Sequence, residues 1–253
     1  MRALVLKSTG SWYDVLADDG HVYQGRIRGR IRLEDIKETN PVAVGDYVEI
    51  ETTGSGNEKV ITGILPRENY IARKAVKKSG QLHVIAANID LALLVVSISF
   101  PRTSLGFIDR FTVSAEAFRI PQVIVFNKRD LLDNDEKEFA DALVLLYETL
   151  GIKCLVTSGL HDDQKELLKI IRNKKTLVTG HSGSGKSTLI NKLSPAIEQR
   201  TAEVSEFTSK GTHTTTFAEM FDIGDSTYVI DTPGIKEMGM VDMKPEEVSD
   251  YFV

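Results

Sequence analysis

The sequence predicts a small all-β barrel followed by an α/β domain that is built on a mostly parallel sheet. Short β-rich runs separated by turn residues fill residues 1–66, which is typical of a barrel or a sandwich. From residue 85 onward, apolar strands alternate with helices, and this alternation indicates a parallel sheet covered on both faces. With 253 residues, the chain is long enough for both domains to bury a core.

Five short strands are predicted in the first domain. Turn residues such as Thr9-Gly10 and Gly45-Asp46 separate them. Five strands in this length suit a barrel of the OB type, although an SH3-like barrel gives a similar pattern. The predicted strands lie at residues 2–7, 12–16, 22–32, 47–51 and 60–64.

The predicted α/β domain spans residues 85–243. A basic and polar segment, residues 67–84, is interpreted as the linker between the domains, and residues 244–253 as the start of a C-terminal extension. Strands are predicted at residues 89–99, 123–126, 154–157, 177–179, 217–223 and 227–230. Helices are predicted at residues 106–118, 136–150, 164–171 and 186–193.

Composition limits the classes of protein that the chain can represent. The net charge of −5 argues against a protein that coats nucleic acid non-specifically, but it leaves room for a local basic patch. Cys154 is the single cysteine, so neither an internal disulfide nor a cysteine-rich zinc site is expected, and its apolar surroundings predict a core residue. No signal peptide is visible, and no apolar run approaches the ~20 residues of a membrane helix. We therefore expect a cytoplasmic protein that does not contact membranes.

A phosphate-binding loop follows the predicted strand at residues 177–179. The pattern G-x-x-x-x-G-K-[ST] lies between a strand and a helix, which is the context that this motif requires. Its glycines let several backbone N–H groups face one anion, and the helix N-terminus adds partial positive charge. Lys186 is expected to reach the β- and γ-phosphates, and Ser187 to ligate Mg²⁺. The predicted nucleotide-binding residues here are Gly180, His181, Ser182, Gly183, Ser184, Gly185, Lys186, Ser187 and Thr188.

A base-reading motif follows the strand at residues 123–126. It consists of Asn127, Lys128, Arg129 and Asp130. The Asp130 carboxylate can accept hydrogen bonds from guanine N1–H and its 2-amino group, whereas adenine would leave that carboxylate unpaired. Asn127 is expected either to hold the base edge or to tie this loop to the phosphate-binding loop, and the stem of Lys128 to cover the base.

Further nucleotide contacts are predicted after two other strands and in the segment before a third. Thr157 and Ser158 lie at the end of the strand at residues 154–157, where a backbone N–H can contact the guanine 6-oxo group. Asp231 begins the sequence D-T-P-G and is expected to bind Mg²⁺ through water. Gly234 ends that sequence, and its N–H is expected to contact the γ-phosphate. A hydroxyl from residues 211–216 is expected to complete the metal shell.

The group that positions the attacking water is not evident from the motifs. Ras-like GTPases have a glutamine after the D-x-x-G glycine, but here Ile235 occupies that position. Intrinsic hydrolysis is therefore expected to be slow or to use another group. His213 is the nearest candidate in sequence, and a solvated loop histidine is the alternative interpretation.

The order of the motifs is permuted, because N-K-x-D precedes the phosphate-binding loop. With these motifs in this order, the sequence resembles the circularly permuted, ribosome-small-subunit-dependent GTPases, called RsgA, YjeQ or YloQ. The resemblance covers essentially the whole chain. The residues that carry it are 87–90, 103–110, 127–130, 180–187, 211–216 and 231–234.

The resemblance implies an N-terminal OB fold, GTP and Mg²⁺ binding, and GTP hydrolysis that the 30S subunit stimulates during late maturation. It also implies that Thr215 is the Mg²⁺-binding threonine and that His213 is the candidate catalytic residue. With the motif residues, the expected metal ligands are Ser187, Thr215 and Asp231, and the expected catalytic residues are His213, Lys186 and Gly234. The family has a C-terminal zinc domain with three cysteines and a histidine, so one Zn²⁺ is expected only in a segment that this chain lacks. A monomer is expected.

A cationic stripe is predicted on the barrel. Arg26, Arg28, Arg30 and Arg32 alternate with other residues in a predicted strand, which places four guanidinium groups on one face. The face is interpreted either as an ordinary solvated surface or as a surface that follows an RNA backbone. The family resemblance favours contact with 16S rRNA.

Three functional hypotheses are compatible with the sequence. The first is an RNA-dependent GTPase that acts in ribosome assembly. The second is a nucleotide-gated binding module that signals by conformation with negligible hydrolysis, which Ile235 keeps open. The third, an ATPase or a small-molecule kinase, is disfavoured by Asp130.

Overall fold

The N-terminal strands form a closed five-stranded barrel. The computed structural model describes residues 1–27, 40–52, 58–74, 82–158, 161, 164–193, 218–232 and 251. The barrel strands are β1 (Arg2–Ser8), β2 (Tyr13–Ala17), β3 (Val22–Ile27), β4 (Tyr47–Thr52) and β5 (Lys59–Ile64).

The pairing of these strands identifies the barrel type. Neighbouring strands pair in the order β1-β2-β3-β5-β4, and β4 pairs again with β1 to close the ring. The β3–β5 pair is parallel and the other pairs are antiparallel. This is the Greek-key arrangement of an OB barrel, so the predicted OB fold is confirmed.

Alternation along the strands builds the barrel core. In β2, Tyr13, Val15 and Ala17 are buried, whereas the residues between them are only partly covered. This is the period of two that a strand imposes when one of its faces is covered. Val5 of β1 and Ile61 of β5 are fully buried in the same cluster.

Residues 67–84, predicted as a linker, contain part of an antiparallel pair. The strands are β6 (Tyr70–Lys74) and β7 (Leu82–Ala87), and they form a separate two-stranded sheet. Ala72 and Val84 pack with Ala43 in a small cluster of their own. The sequence did not predict these strands, because the segment is basic and polar and few of its apolar residues pack.

The α/β domain continues with strands and helices in alternation. Its strands are β8 (Leu91–Ser97), β9 (Gln122–Asn127), β10 (Lys153–Val156), β11 (Lys175–Thr179), β12 (Glu219–Asp222) and β13 (Tyr228–Asp231). Its helices are α1 (Leu105–Ala117), α2 (Asn134–Thr149), α3 (Lys165–Ile171) and α4 (Lys186–Leu193).

The sheet of this domain has the order β10-β9-β8-β11-β13-β12. All neighbouring pairs are parallel except β12–β13. Every residue of β8 is buried, as expected for a central strand that is covered on both faces. One face packs against α1 and α2 through residues such as Phe111 and Leu143, and the other packs against α3 and α4 through Leu167 and Leu189.

The barrel and the α/β domain share a sheet and a polar junction. Strand β1 pairs with β12, and Lys7 Nζ lies 2.8 Å from Glu219 Oε2. Arg67 donates from Nε and Nη2 to the two carboxylate oxygens of the fully buried Asp46, at 2.7 and 2.8 Å. Gly45 has φ +89°, and a Cβ there would collide with the carbonyl oxygen of Ala87. The close approach of the two backbones therefore requires glycine.

Two predictions from composition can be compared with the fold. Cys154 is buried, and burial raises the pKa of its thiol to about 12, so it is an unreactive core residue as predicted. Among the helices that the structure describes, none is long and apolar enough to cross a membrane.

Candidate nucleotide-binding site

The predicted motifs meet at one edge of the sheet. The phosphate-binding loop follows β11, the base-reading motif follows β9, and Asp231 ends β13. Since these strands are parallel, their carboxyl ends lie together, which is where open α/β sheets bind ligands. The permuted chain therefore assembles the motifs in one place although their order along the chain is changed.

Close packing shapes the phosphate-binding loop and makes two of its glycines necessary. Gly180, Gly183 and Gly185 have φ values of +145°, +82° and +99°. A Cβ on Gly180 would collide with the carbonyl oxygen of Val95, and a Cβ on Gly185 would collide with the side-chain amide of Asn127. The sequence predicted glycines that let the backbone curl, but these two collisions depend on neighbouring strands.

Lys186 opens α4 and is buried with its ammonium inside the loop. Its Nζ donates to the carbonyl oxygens of Gly180 and His181, at 2.9 and 2.7 Å. Burial lowers the pKa of Lys186, and the nearby Asp231 carboxylate opposes that shift. The loop thus surrounds a positive charge that is positioned for an anionic ligand.

Asn127 links the base-reading motif to the phosphate-binding loop. Its Nδ2 donates to the carbonyl oxygen of Ser184 at 3.0 Å, and its Oδ1 accepts from the Thr157 hydroxyl at 3.0 Å. Of the two roles left open by the sequence, the structure places Asn127 in the second. The backbone N–H of Thr157 donates to the carbonyl of Phe126 at 2.8 Å, so the predicted contact with the guanine 6-oxo group remains a prediction for Ser158 alone.

The middle residues of the base-reading motif point in different directions. Lys128 has φ +66°, and its Nζ donates to the carbonyl oxygen of Phe100 at 2.6 Å. The Arg129 guanidinium binds both carboxylate oxygens of Asp141 on α2, at 2.6 and 3.0 Å. This pairing raises the pKa of Arg129 and lowers that of Asp141. The Arg129 side chain is thus engaged by α2, and the predicted contact of Arg129 with the nucleotide stays a prediction.

Two histidines adjoin the site. His161 Nε2 lies 3.7 Å from Asp130 Oδ2, a neighbour of the base-reading carboxylate that the sequence did not reveal. The ring of His181 packs edge-on against Phe107 of α1, with ring centroids 4.2 Å apart. Burial, helped by the positive charges of Lys186 and Arg110, lowers the pKa of His181. At neutral pH this imidazole is therefore neutral, and its ring faces α1.

Two of the residues expected to hold Mg²⁺ border the phosphate-binding loop. Ser187 is exposed in the first turn of α4, and Asp231 pairs with Val178 of β11, so both residues border this loop. A hydroxyl and a carboxylate are the hard oxygen donors that Mg²⁺ prefers, and the ion usually takes only one or two carboxylates. In the described ranges no cluster of three His, Cys, Asp or Glu side chains could hold a metal ion.

Several predicted residues lie outside the described ranges. They include the proposed catalytic His213 and Gly234, the proposed Mg²⁺ ligand Thr215, and three arginines of the cationic stripe, Arg28, Arg30 and Arg32.

The described part of the barrel surface combines positive charge with aromatic rings. The Arg26 guanidinium lies 5.7 Å from the ring centre of the exposed Trp12. Lys59 Nζ lies 4.3 Å from the ring centre of Tyr23, but Lys59 is buried and donates to the Thr52 hydroxyl. Arg26 is also 3.7 Å from Glu58, and both side chains are more than half exposed. Tyr13, by contrast, is a core residue.

The sequence matches proteins of a known family along essentially the whole chain. The RsgA GTPase family matches residues 64–241, and the RsgA N-terminal domain matches residues 3–60. The "small ribosomal subunit biogenesis GTPase RsgA" of Bacteroides fragilis is 48% identical over 253 residues, which is 100% of this chain and 81% of the relative. The protein of the same name from Christiangramia forsetii is 48% identical over 256 residues, with the same two shares.

Two solved structures have the same fold. YjeQ from Thermotoga maritima superposes with a TM-score of 0.75 at 30% identity, covering 99% of this chain and 81% of that one. YloQ, described as a circularly permuted GTPase, gives a TM-score of 0.70 at 25% identity, covering 99% and 77%. With its motifs gathered at one sheet edge in permuted order and its sequence matched over both domains, the chain belongs to the RsgA GTPase family.

Proposed function

We propose that this protein binds the 30S ribosomal subunit, contacts its 16S rRNA and hydrolyses GTP to GDP and phosphate during late maturation of the subunit. The observation that carries the nucleotide assignment is the hydrogen bond from Asn127 to the Ser184 carbonyl, which joins the base-reading motif to the phosphate-binding loop. The names of the relatives supply the ribosomal assignment. We propose that it acts as a monomer in the cytoplasm.

Different residues of the site bind different parts of GTP. The backbone of the phosphate-binding loop and the Lys186 ammonium hold the β- and γ-phosphates, while Asp130 pairs with the guanine edge. Ser187, Asp231 and Thr215 would hold Mg²⁺, which when bound neutralises charge on the β- and γ-phosphate oxygens. Phosphoryl transfer depends chiefly on positioning and charge stabilisation, so this arrangement suits it.

Hydrolysis can be tested directly by single-turnover kinetics. We expect GTP cleavage to be slow for the protein alone and much faster with 30S subunits. If cleavage stays negligible with 30S subunits while nucleotide-dependent binding to them is tight, the protein is instead a nucleotide-gated switch. This is the alternative that Ile235, in place of a water-positioning glutamine, allows. Competition of ATP against GTP for binding distinguishes the GTPase and the nucleotide-gated switch from an ATPase or a kinase.

His213 is proposed to position the attacking water, because Ile235 has no polar group. In the presence of 30S subunits and saturating GTP, His213→Ala should slow hydrolysis by about 10²-fold or more, while the KM for GTP changes little. Thr215→Ala, in contrast, should also weaken Mg²⁺-dependent GTP binding. His21→Ala, a change at an exposed barrel histidine, is the matched control. A wild-type rate for His213→Ala would mean that another group, such as ribosomal RNA, positions the water.

The barrel surface with Trp12 and Arg26 is proposed to contact rRNA. Stacking of one base on an aromatic ring is worth about 1–3 kcal/mol, so Trp12→Ala should weaken 30S binding about fivefold to a hundredfold. Arg26→Ala should reduce the slope of log affinity against log salt by about 1. Replacing Arg28, Arg30 and Arg32 with alanine should flatten that slope further, without a change in GTP affinity.

Arg172→Ala is the matched control for these barrel variants. Arg172 is similarly exposed and is also paired with a surface carboxylate, that of Asp225, but it lies in the α/β domain. If the barrel variants keep wild-type 30S affinity and salt slope, this face is only a solvated surface.

A further inference from the structure

The turn between β8 and α1, residues 98–104, lies between the two halves of the nucleotide site. In the sheet, β8 has β9 on one side and β11 on the other. The base-reading motif follows β9, and the phosphate-binding loop follows β11. Because all three strands are parallel, the β8–α1 turn leaves the sheet at the same edge and between both motifs.

This turn contacts both halves of the site. The carbonyl oxygen of Phe100 accepts the hydrogen bond from Lys128 Nζ at 2.6 Å. Pro101 packs against the phosphate-binding loop so closely that a Cβ on Gly183 would lie 3.1 Å from Pro101 Cδ. No motif of the sequence assigned a nucleotide role to these turn residues.

A pair of hydrogen bonds across the base of the turn holds its shape. The backbone N–H of Thr103 donates to the carbonyl of Ser97 at 2.8 Å, and the Thr103 hydroxyl oxygen accepts from the N–H of Ser97 at 3.1 Å. Both residues are buried. Ser97 also lies beside Asn127 in the β8–β9 register, so the closure of the turn is adjacent to the base-reading motif.

We propose that Thr103 is a positioning residue for guanine-nucleotide binding and acts through Lys128. Its hydroxyl closes the β8–α1 turn, the turn presents the Phe100 carbonyl, and that carbonyl holds the Lys128 ammonium so that the lysine stem is extended where it covers the base. This inference rests on the proposed binding of guanine nucleotides at this site.

The physical basis is preorganisation of a flexible side chain. A free lysine loses considerable rotamer entropy when it is fixed, and a lysine that is already held before binding avoids part of that cost. Thr103→Val keeps the shape of the side chain but removes the acceptor, which leaves the buried Ser97 N–H unpaired. The turn then shifts, and the Phe100 carbonyl no longer holds the ammonium.

Equilibrium and stopped-flow binding of fluorescent GDP and GTP test this role. Thr103→Val should weaken both nucleotides equally, by about fivefold to tenfold, mainly through faster dissociation. Thr103→Ser retains the hydroxyl and should stay within about twofold of the wild type. Unchanged affinity in Thr103→Val, with normal binding by the wild type, overturns the inference, whereas absent binding by the wild type overturns the proposed function itself.

A double-mutant cycle separates positioning from a general structural effect. Lys128→Met keeps the apolar stem but has no ammonium to be held, and it should itself weaken binding about fivefold. In that background Thr103→Val should cause no further loss. An additive loss would mean that Thr103 acts by stability alone. Should Thr103→Val fail to fold, Lys128→Met with wild-type affinity would still overturn the proposal.

Discussion

Lys186→Ala is expected to abolish measurable binding of GTP. The ammonium is the buried positive charge of the phosphate-binding loop, and hydrogen bonds to a charged group contribute about 1.5–3 kcal/mol each. Loss of two such bonds to phosphate oxygens therefore weakens binding about 10²- to 10⁴-fold. Isothermal titration with GTP measures this loss, and nanomolar binding by the variant would contradict the site assignment.

The structure adds a requirement to that experiment. Lys186 also donates to the carbonyls of Gly180 and His181, so alanine removes contacts within the loop as well as contacts with the ligand. A thermal unfolding curve should show that the variant remains folded. Lys169→Ala, which removes a lysine from the exposed side of α3, is the matched control and should bind GTP as the wild type does.

Asp130→Asn is expected to change the preferred base from guanine to xanthine. The carboxylate accepts from guanine N1–H and the 2-amino group, whereas the amide can donate to the 2-oxo group of xanthine. Sites built to hydrogen-bond a polar edge reject an analogue without it by large factors, so the ratio of GTP to XTP affinity should fall at least about a hundredfold.

The control for this switch is Asp135→Asn, which removes one carboxylate from the exposed first turn of α2. It should leave the preference for GTP unchanged. Competition between GTP and XTP against a fluorescent guanine nucleotide measures the ratio. A wild-type preference in Asp130→Asn would show that another group reads the base.

Motifs with strict local spacing could be predicted from the sequence. The phosphate-binding loop, the N-K-x-D motif and the strands that precede them were recognised because each motif needs only its own strand and the residues that follow it. The same holds for the alternating burial in β2 and the uninterrupted burial in β8. Local periodicity records which faces of a strand are covered.

Contacts between separate strands were not predictable in the same way. Arg129 looked like part of the base-reading motif, yet α2 engages it through Asp141. His161 lies near Asp130, and the Thr103 hydroxyl accepts from the N–H of Ser97. No local sequence pattern connects the members of either pair. The pair β6–β7 lies in a segment that its basic composition predicted to be a linker. Composition alone does not reveal which residues will pair in strands.

The sequence by itself revealed the phosphate-binding loop, the N-K-x-D motif and the permuted order of the motifs. Only the tertiary structure decided how these parts cooperate. It brought Asn127 to the Ser184 carbonyl, placed the β8–α1 turn against both Lys128 and Gly183, and joined the barrel to β12. The physical reason is that sheet order, not sequence distance, determines which strand ends are neighbours, and long-range backbone pairing sets that order.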